Sequence, residues 1–356
     1  MSTIERIQDV SNRRLPWQAN PNQIAVPRVT ASEAVLLADL SYPIVKEQLL
    51  IASTGEFSDS YAVGREIDEV DSYGRRTMEF VQYGTVSKDY TPIQAMELAM
   101  QLDPVTEKYP VVSIGSNDRG ANIYMFLSAG TQNIAGEEHD LYFIVKDARS
   151  GRRGLSISFM PLRLACRNGL VYFNAESGAS TIFHHVKSIS KDVSTFSQTL
   201  LPRMMETQAE AIKQFNRMAE VKINSDEVNQ IVASAYPEPR LPRSIRHLAG
   251  TSNNLMMELT QEYRNSQVEQ HPDYQKYINS VRNVEDIKEA VAESYDGFNA
   301  KYGYKNLNNT AWALWNSIVE VEDHGRTNRN NSMASIVGDR TAIKAKSFRK
   351  AYELIS

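Results

Sequence analysis

The sequence predicts an α+β protein: a mainly antiparallel, curved sheet in the first half, with long helices and a helical C-terminal region. Three observations carry this reading. Between about residues 46 and 173, β-branched and aromatic residues gather in short runs separated by turn residues. Two of the links between these runs, "SNDRG" and "RSGRRG", have the composition of hairpin turns, which join antiparallel strands. Beyond Gly178, apolar residues recur at three- and four-residue intervals over many turns, the period of helices with one buried face.

The elements follow in order. Residues 1–29 hold Pro16, Pro21 and Pro27, which break regular structure, so an extended N-terminal arm is expected. Thr30 and Glu33 have capping-box spacing ahead of Val35, Leu36 and Leu37, and a short helix starts there. Strands are expected through "RTMEFVQYGTVS", which follows the turn "DSYG" at 71–74, and "TPIQAMELAMQL" at 91–102 returns to helical spacing. "KYPVVSIG", "ANIYMFLSAG" and "DLYFIVKDA" continue the sheet into "LSISFMPLRLAC". There Met160 and Pro161 shift the alternation through an expected bulge. Leu155, Ile157 and Phe159 then share one face, Leu162, Leu164 and Cys166 resume the apolar pattern, and Arg163 stands on the opposite face. From Thr181 the pattern is helical, with Pro202 expected to kink or divide it, and "YPEPRLPRS" at 236–244 reads as a Pro-rich linker. The expected organisation is therefore an arm at 1–29, an α+β core at 30–235, the linker at 236–244 and a helical region at 245–356.

With 42% hydrophobic and 23% charged residues over 356 positions, the composition is that of an ordinary globular protein with a sizeable core. No apolar run approaches the roughly 18 residues of a membrane helix, so no membrane association is expected. The single cysteine excludes an internal disulfide and a cysteine-rich zinc site, and fits a reducing cytoplasm. Charge is uneven. Residues 1–148 carry 12 Lys+Arg against 21 Asp+Glu, residues 149–217 carry 10 against 4, and Arg326 to Lys350 is basic again. A basic segment between acidic or neutral flanks suits either a polyanion surface or a face docked on the protein's own acids.

Candidate chemistry concentrates in that segment. "RSGRRG", Arg149 to Gly154, sets Arg149, Arg152 and Arg153 among glycines, where guanidinium forks and exposed amides suit phosphate oxygens. Arg163, Arg167, Lys187 and Lys191 extend the candidate DNA-binding surface. Cys166, with His184 and His185 fewer than twenty residues on, reads as a small buried side chain before it reads as a nucleophile. Trp312, Trp315 and Val319 lie on one helical stripe and read as core. Glu320, Asp323 and His324 are the residues to inspect for a metal, and Glu322, Asp323 and His324 for an acid-based hydrolase or nuclease site. No Walker A, G-x-G-x-x-G, H-E-x-x-H or G-x-S-x-G motif is present, so no cofactor and no catalytic residue is expected.

"VTASEAVLLADLSYPI" at 29–44, "YGTVSKDYTPIQAMEL" at 83–98, "VVSIGSNDRGANIYMFLSAG" at 111–130, "ISFMPLRLACRNGL" at 157–170 and "NTAWALWNSIVEVEDHGR" at 309–326 occur in this order. Together they resemble the phage and plasmid proteins grouped as "domain of unknown function 932". The most specific part is R-x-x-C-x-N-x-L, filled by Arg163, Cys166, Asn168 and Leu170. Gly169 departs from the family's usual threonine, and the pair His184 and His185 stands near its usual histidine-containing stretch. The resemblance implies a mobile-element protein working in the bacterial cytoplasm and supplies no catalytic residues. Phage annealing proteins with a curved antiparallel sheet and a basic groove offer a fold-level analogy.

The expected function is non-catalytic binding and annealing of single-stranded DNA, of recombination type, by a homo-oligomer in which Lys and Arg hold phosphates. The alternative is a protein-binding module that inhibits or decoys a host defence factor through the acidic first 148 residues.

Overall fold

The computed structural model describes residues 22–70, 74, 76–151, 154–164, 168–171, 181–183, 193–246, 268–298, 307–325 and 340–356. Among them, seven strands form one antiparallel sheet in the order β1 (Gln23–Val29), β5 (Val111–Asn117), β6 (Asn122–Ile134), β7 (Glu137–Ala148), β8 (Leu155–Arg163) and β10 (Thr181–Phe183), with β9 (Asn168–Gly169) also paired to β8. A second, three-stranded sheet orders β2 (Val45–Leu50), β3 (Phe57–Val70) and β4 (Arg76–Val86). The fold is α+β, with the antiparallel sheets in the first half and helices dominating the second.

The arm's last residues are part of the sheet. β1 pairs with β5, and its register shifts between Ala25 and Val29, around Pro27. An edge strand tolerates a proline that a central one would not, because the missing N–H faces away from the ladder. Helix α1 (Ala31–Leu37) starts where the capping box placed it: the Thr30 side chain accepts from the Glu33 amide and the Glu33 carboxylate accepts from the Thr30 amide. Its partner is α2 (Ala95–Thr106), whose Asp103 accepts from the Ser32 amide at 2.9 Å and from the Ser32 hydroxyl at 2.6 Å. Thr181–Phe183, expected in the helical pattern, is instead an edge strand on β8, and helix α3 (Val193–Glu220) runs through Pro202 as one element.

The expected bulge at Met160 and Pro161 is absent. β7 and β8 pair without a shift from Asp147↔Leu155 to His139↔Arg163. Both faces of β8 are interior: Leu155, Ile157 and Phe159 join the main core, while Met160 and Leu162 join a second cluster with Tyr124, Phe126, Ile144 and Val171. A strand apolar on both sides loses the simple alternation from which phase was read.

Helices α4 (Ser225–Ala235), the short α5 (Arg243–Arg246), α6 (Pro272–Asp296), α7 (Ala311–Glu320) and α8 (Arg340–Ile355) complete the fold. α7 is apolar nearly all round and every one of its residues is buried. Trp312 and Trp315 pack on Phe215 of α3, at ring-centroid distances of 5.4 Å each, and Trp315 on Phe348 of α8 at 5.1 Å. No described helix is long and apolar enough to cross a membrane.

Candidate functional site

Of the seven basic residues the sequence assigned to a DNA-binding surface, the structure describes Arg149 and Arg163, and both are interior. Arg163, at the end of β8, is fully buried; its fork grips Glu137 of β7, with Nη2 donating to Oε1 at 2.6 Å and Nε to Oε2. The ring of Phe298 covers the same guanidinium at 4.7 Å. Arg149 is 1% exposed and donates from Nε to Asp147 Oδ2 at 2.7 Å. Sequence reasoning put both outside because a cation among strand residues is costly to bury unpaired, and the partners, Glu137 and Asp147, were not identified. Arg152, Arg153, Arg167, Lys187 and Lys191 lie outside the described residues, as do Cys166, His184 and His185. The exposed basic residues in the described part of the segment are Arg203, Lys213 and Arg217, all on α3.

The signature segments meet in a buried polar junction. After α7 the chain makes one wide π turn, Val321–Gly325, and this re-aims the acids at its start. Asp323 is held by Lys344 of α8 at 2.5 Å and accepts from the Gly169 amide at 2.9 Å. Lys344 also donates to the Gly169 carbonyl at 3.0 Å. One strand residue is thus clamped by an ion pair that ties β9 to two helices. Asn168 donates to the Asn316 carbonyl at 3.4 Å. Glu322 accepts from the Tyr236 hydroxyl at 2.9 Å, and Glu320 from Ser294 at 2.7 Å. His139 stands at the edge of this region, its ring 5.9 Å from that of Trp312 and its Nδ1 3.0 Å from the Glu137 carbonyl. Because a carbonyl only accepts, Nδ1 carries the hydrogen; burial, above all, lowers the ring's pKa to about 4 and keeps it neutral.

The acids examined for a metal or hydrolytic site are therefore committed separately to Ser294, Tyr236 and Lys344. Among the described residues no three His, Cys, Asp or Glu gather as metal ligands do.

A second cluster lies at the seam between the sheets. Tyr42, Tyr83 and Tyr90 reach from the small sheet and its flanks to the ends of the large one, donating to the carbonyls of Gly120 at 3.4 Å, Arg119 at 3.2 Å and Arg149 at 3.4 Å. Arg65 of β3 lies over the Tyr42 ring at 4.1 Å, and Arg149 sits 5.9 Å from the same ring. Gly84 is in contact with the Ser150 backbone where a Cβ would collide, so β4 rests directly on the start of the "RSGRRG" link. The sequence singled out this link but missed the tyrosines and Arg65, which are scattered over 49 positions and converge only through strand pairing.

The chain matches none of the curated proteins and none of the solved structures with which it was compared. A family model does match, over residues 82–346, and that span contains both the clamped β8–β9 corner and the α7 helix with its π turn. By this match the chain belongs to the family described as Domain of unknown function (DUF932).

Proposed function

We propose that this protein binds single-stranded DNA without catalysis and promotes its pairing, as a phage or plasmid recombination-type protein working in the bacterial cytoplasm as a homo-oligomer. The observation that carries the reading is the charge of residues 149–217, 10 Lys+Arg against 4 Asp+Glu, between flanks that are acidic or near neutral as wholes. Two of those ten are spent on internal pairs, so the proposed contacts are Arg152 and Arg153 of the link and Arg167, Lys187 and Lys191, with Arg203, Lys213 and Arg217 of α3 as further cations. Arg149 is assigned a different part: its pairing with Asp147 and its contacts at the seam fix the base of the link. An antiparallel meander backed by a long helix is also compatible with the architecture of phage annealing proteins, by analogy of fold.

Fluorescence anisotropy of a labelled single-stranded oligonucleotide, with duplex as comparison and nuclease-treated protein, tests this across a salt series. Log affinity is expected to fall linearly with log salt, and Arg152→Ala with Arg153→Ala to weaken binding and to reduce the slope by about 2. Absence of binding at low salt would sink the reading. A second reading, a module that captures a host protein, draws on the acidic first 148 residues and on Leu50, Ile51 and Phe57, which stand 57%, 43% and 69% exposed at the β2–β3 turn. Recovery of one stoichiometric protein from host lysate, lost in Phe57→Ser, is the result that would favour it.

A further inference from the structure

The seam between the sheets holds more positive charge than it neutralises. Arg149 uses Nε on Asp147, but its Nη1 and Nη2 are buried and make no hydrogen bond. Arg65, half-buried, has a buried Nε that is likewise unpartnered. Both guanidinium groups ride on the Tyr42 ring, and both act electrostatically on the Tyr83 hydroxyl. The charged groups facing this point are Arg65, Arg149 and Asp147, with the Arg119–Glu79 pair outside it at 2.8 Å, balanced within itself. Among the described residues, one carboxylate thus stands against two cations. A buried guanidinium N–H without an acceptor loses its hydration for nothing in return. The planar fork of Nη groups matches the oxygens of a phosphate, which would supply the missing acceptors and charge together. Burial, above all, pushes the phenols of Tyr83 and Tyr90 upward, so both stay neutral beside such an anion, their hydrogens held by the Arg119 and Arg149 carbonyls.

We propose that the seam lined by Arg149, Arg65, Tyr42, Tyr83 and Tyr90 is an anion site that takes a phosphate dianion, free or as a terminal phosphate monoester. A mid-strand phosphodiester carries one charge and two bulky esters and does not suit a point this enclosed. The half-exposed Tyr42, Tyr83, Tyr90 and Arg65 form its rim, and Arg149 its floor. The site does not depend on the DNA-binding reading, since inorganic phosphate alone should fill it.

Isothermal titration and thermal unfolding of the full chain with inorganic phosphate, against chloride at matched ionic strength, test it directly. Saturable binding of phosphate and a rise in Tm are expected. Arg149→Gln breaks the buried ion pair with Asp147 and is prone to misfold, so the deciding variant is Arg65→Gln, which removes only a cation stacked on a ring. It should fold normally and weaken phosphate at least tenfold. A 5′-phosphorylated oligothymidine compared with its unphosphorylated form separates the sources: an advantage for the phosphorylated strand, abolished by Arg65→Gln, identifies a strand end, and no advantage assigns the site to free phosphate. No effect of phosphate beyond chloride, or equal binding by Arg65→Gln, overturns the proposal. Binding of the unphosphorylated strand that is unchanged in Arg65→Gln leaves the DNA-binding reading standing by itself.

Discussion

At the scale of single residues, the buried cations Arg163 and Lys344 are each held by a buried carboxylate. Arg163 and Glu137 are both fully buried and share two hydrogen bonds, so removing either partner alone leaves the other desolvated. Glu137→Gln or Arg163→Met is expected to lose about 3–5 kcal/mol in urea unfolding, and the double change Glu137→Leu with Arg163→Met to recover most of it. His139 makes the second residue-scale prediction. Its folded pKa, near 4, lies below the ordinary 6.5, so the unfolded chain takes up a proton in that interval and the folded one does not. The stability present above pH 6.5 is therefore lost as pH falls toward 4, by roughly 3 kcal/mol from this ring alone. Glu137, pushed upward by burial, acts in the opposite sense over the acid range, so the contribution is read as a difference. His139→Phe should show a flatter pH dependence of the unfolding free energy between pH 6.5 and 4 than the unchanged protein, and parallel curves would refute the assignment.

At the scale of elements, local signals and packing divide the work. The start of the first helix was legible because a cap is a local object, Thr30 with Glu33; the Thr310 side chain, accepting from the Ala313 amide at 3.1 Å, caps α7 in the same local way. Cross-strand facts were less so. The seam depends on Gly84 passing over Ser150 and on Gly151 passing beside Val86, contacts that no spacing in the sequence announces. Gly84→Val is expected to lift β4 from the link, which would show as loss of hydrogen-exchange protection in β2, β3 and β4 with the large sheet's protection retained. Protection lost uniformly across both sheets would instead mean that the small sheet folds only together with the large one.

For the whole molecule, one cluster of buried residues runs from Val26 to Ile355, and α7 sits inside it against α3. The Pro-rich stretch at 236–244 does not separate two cores: Tyr236 at its start is buried and bonded to Glu322. A fragment ending at residue 242 would expose the apolar faces of α3 that Trp312, Trp315 and Phe348 cover. It should therefore give no cooperative thermal transition, whereas a sharp one would show that the first part folds alone. The Asp323–Lys344 clamp on Gly169 belongs to the same scale, since it joins residues 154 and 175 positions apart.

The sequence by itself determined the α+β class, the start of the first helix, the family and the basic segment, because periodicity, caps, motifs and composition are properties of neighbours along the chain. Tertiary structure decided the fate of the charges. Whether an arginine faces solvent or a carboxylate depends on which strand lies beside it and what covers the sheet: Glu137 comes to Arg163 from the neighbouring strand β7, whereas Asp147 stands two residues before Arg149 and the two are buried together where the sheets meet. The same dependence on distance in sequence hid the tyrosine- and arginine-lined seam, which exists only where two sheets meet.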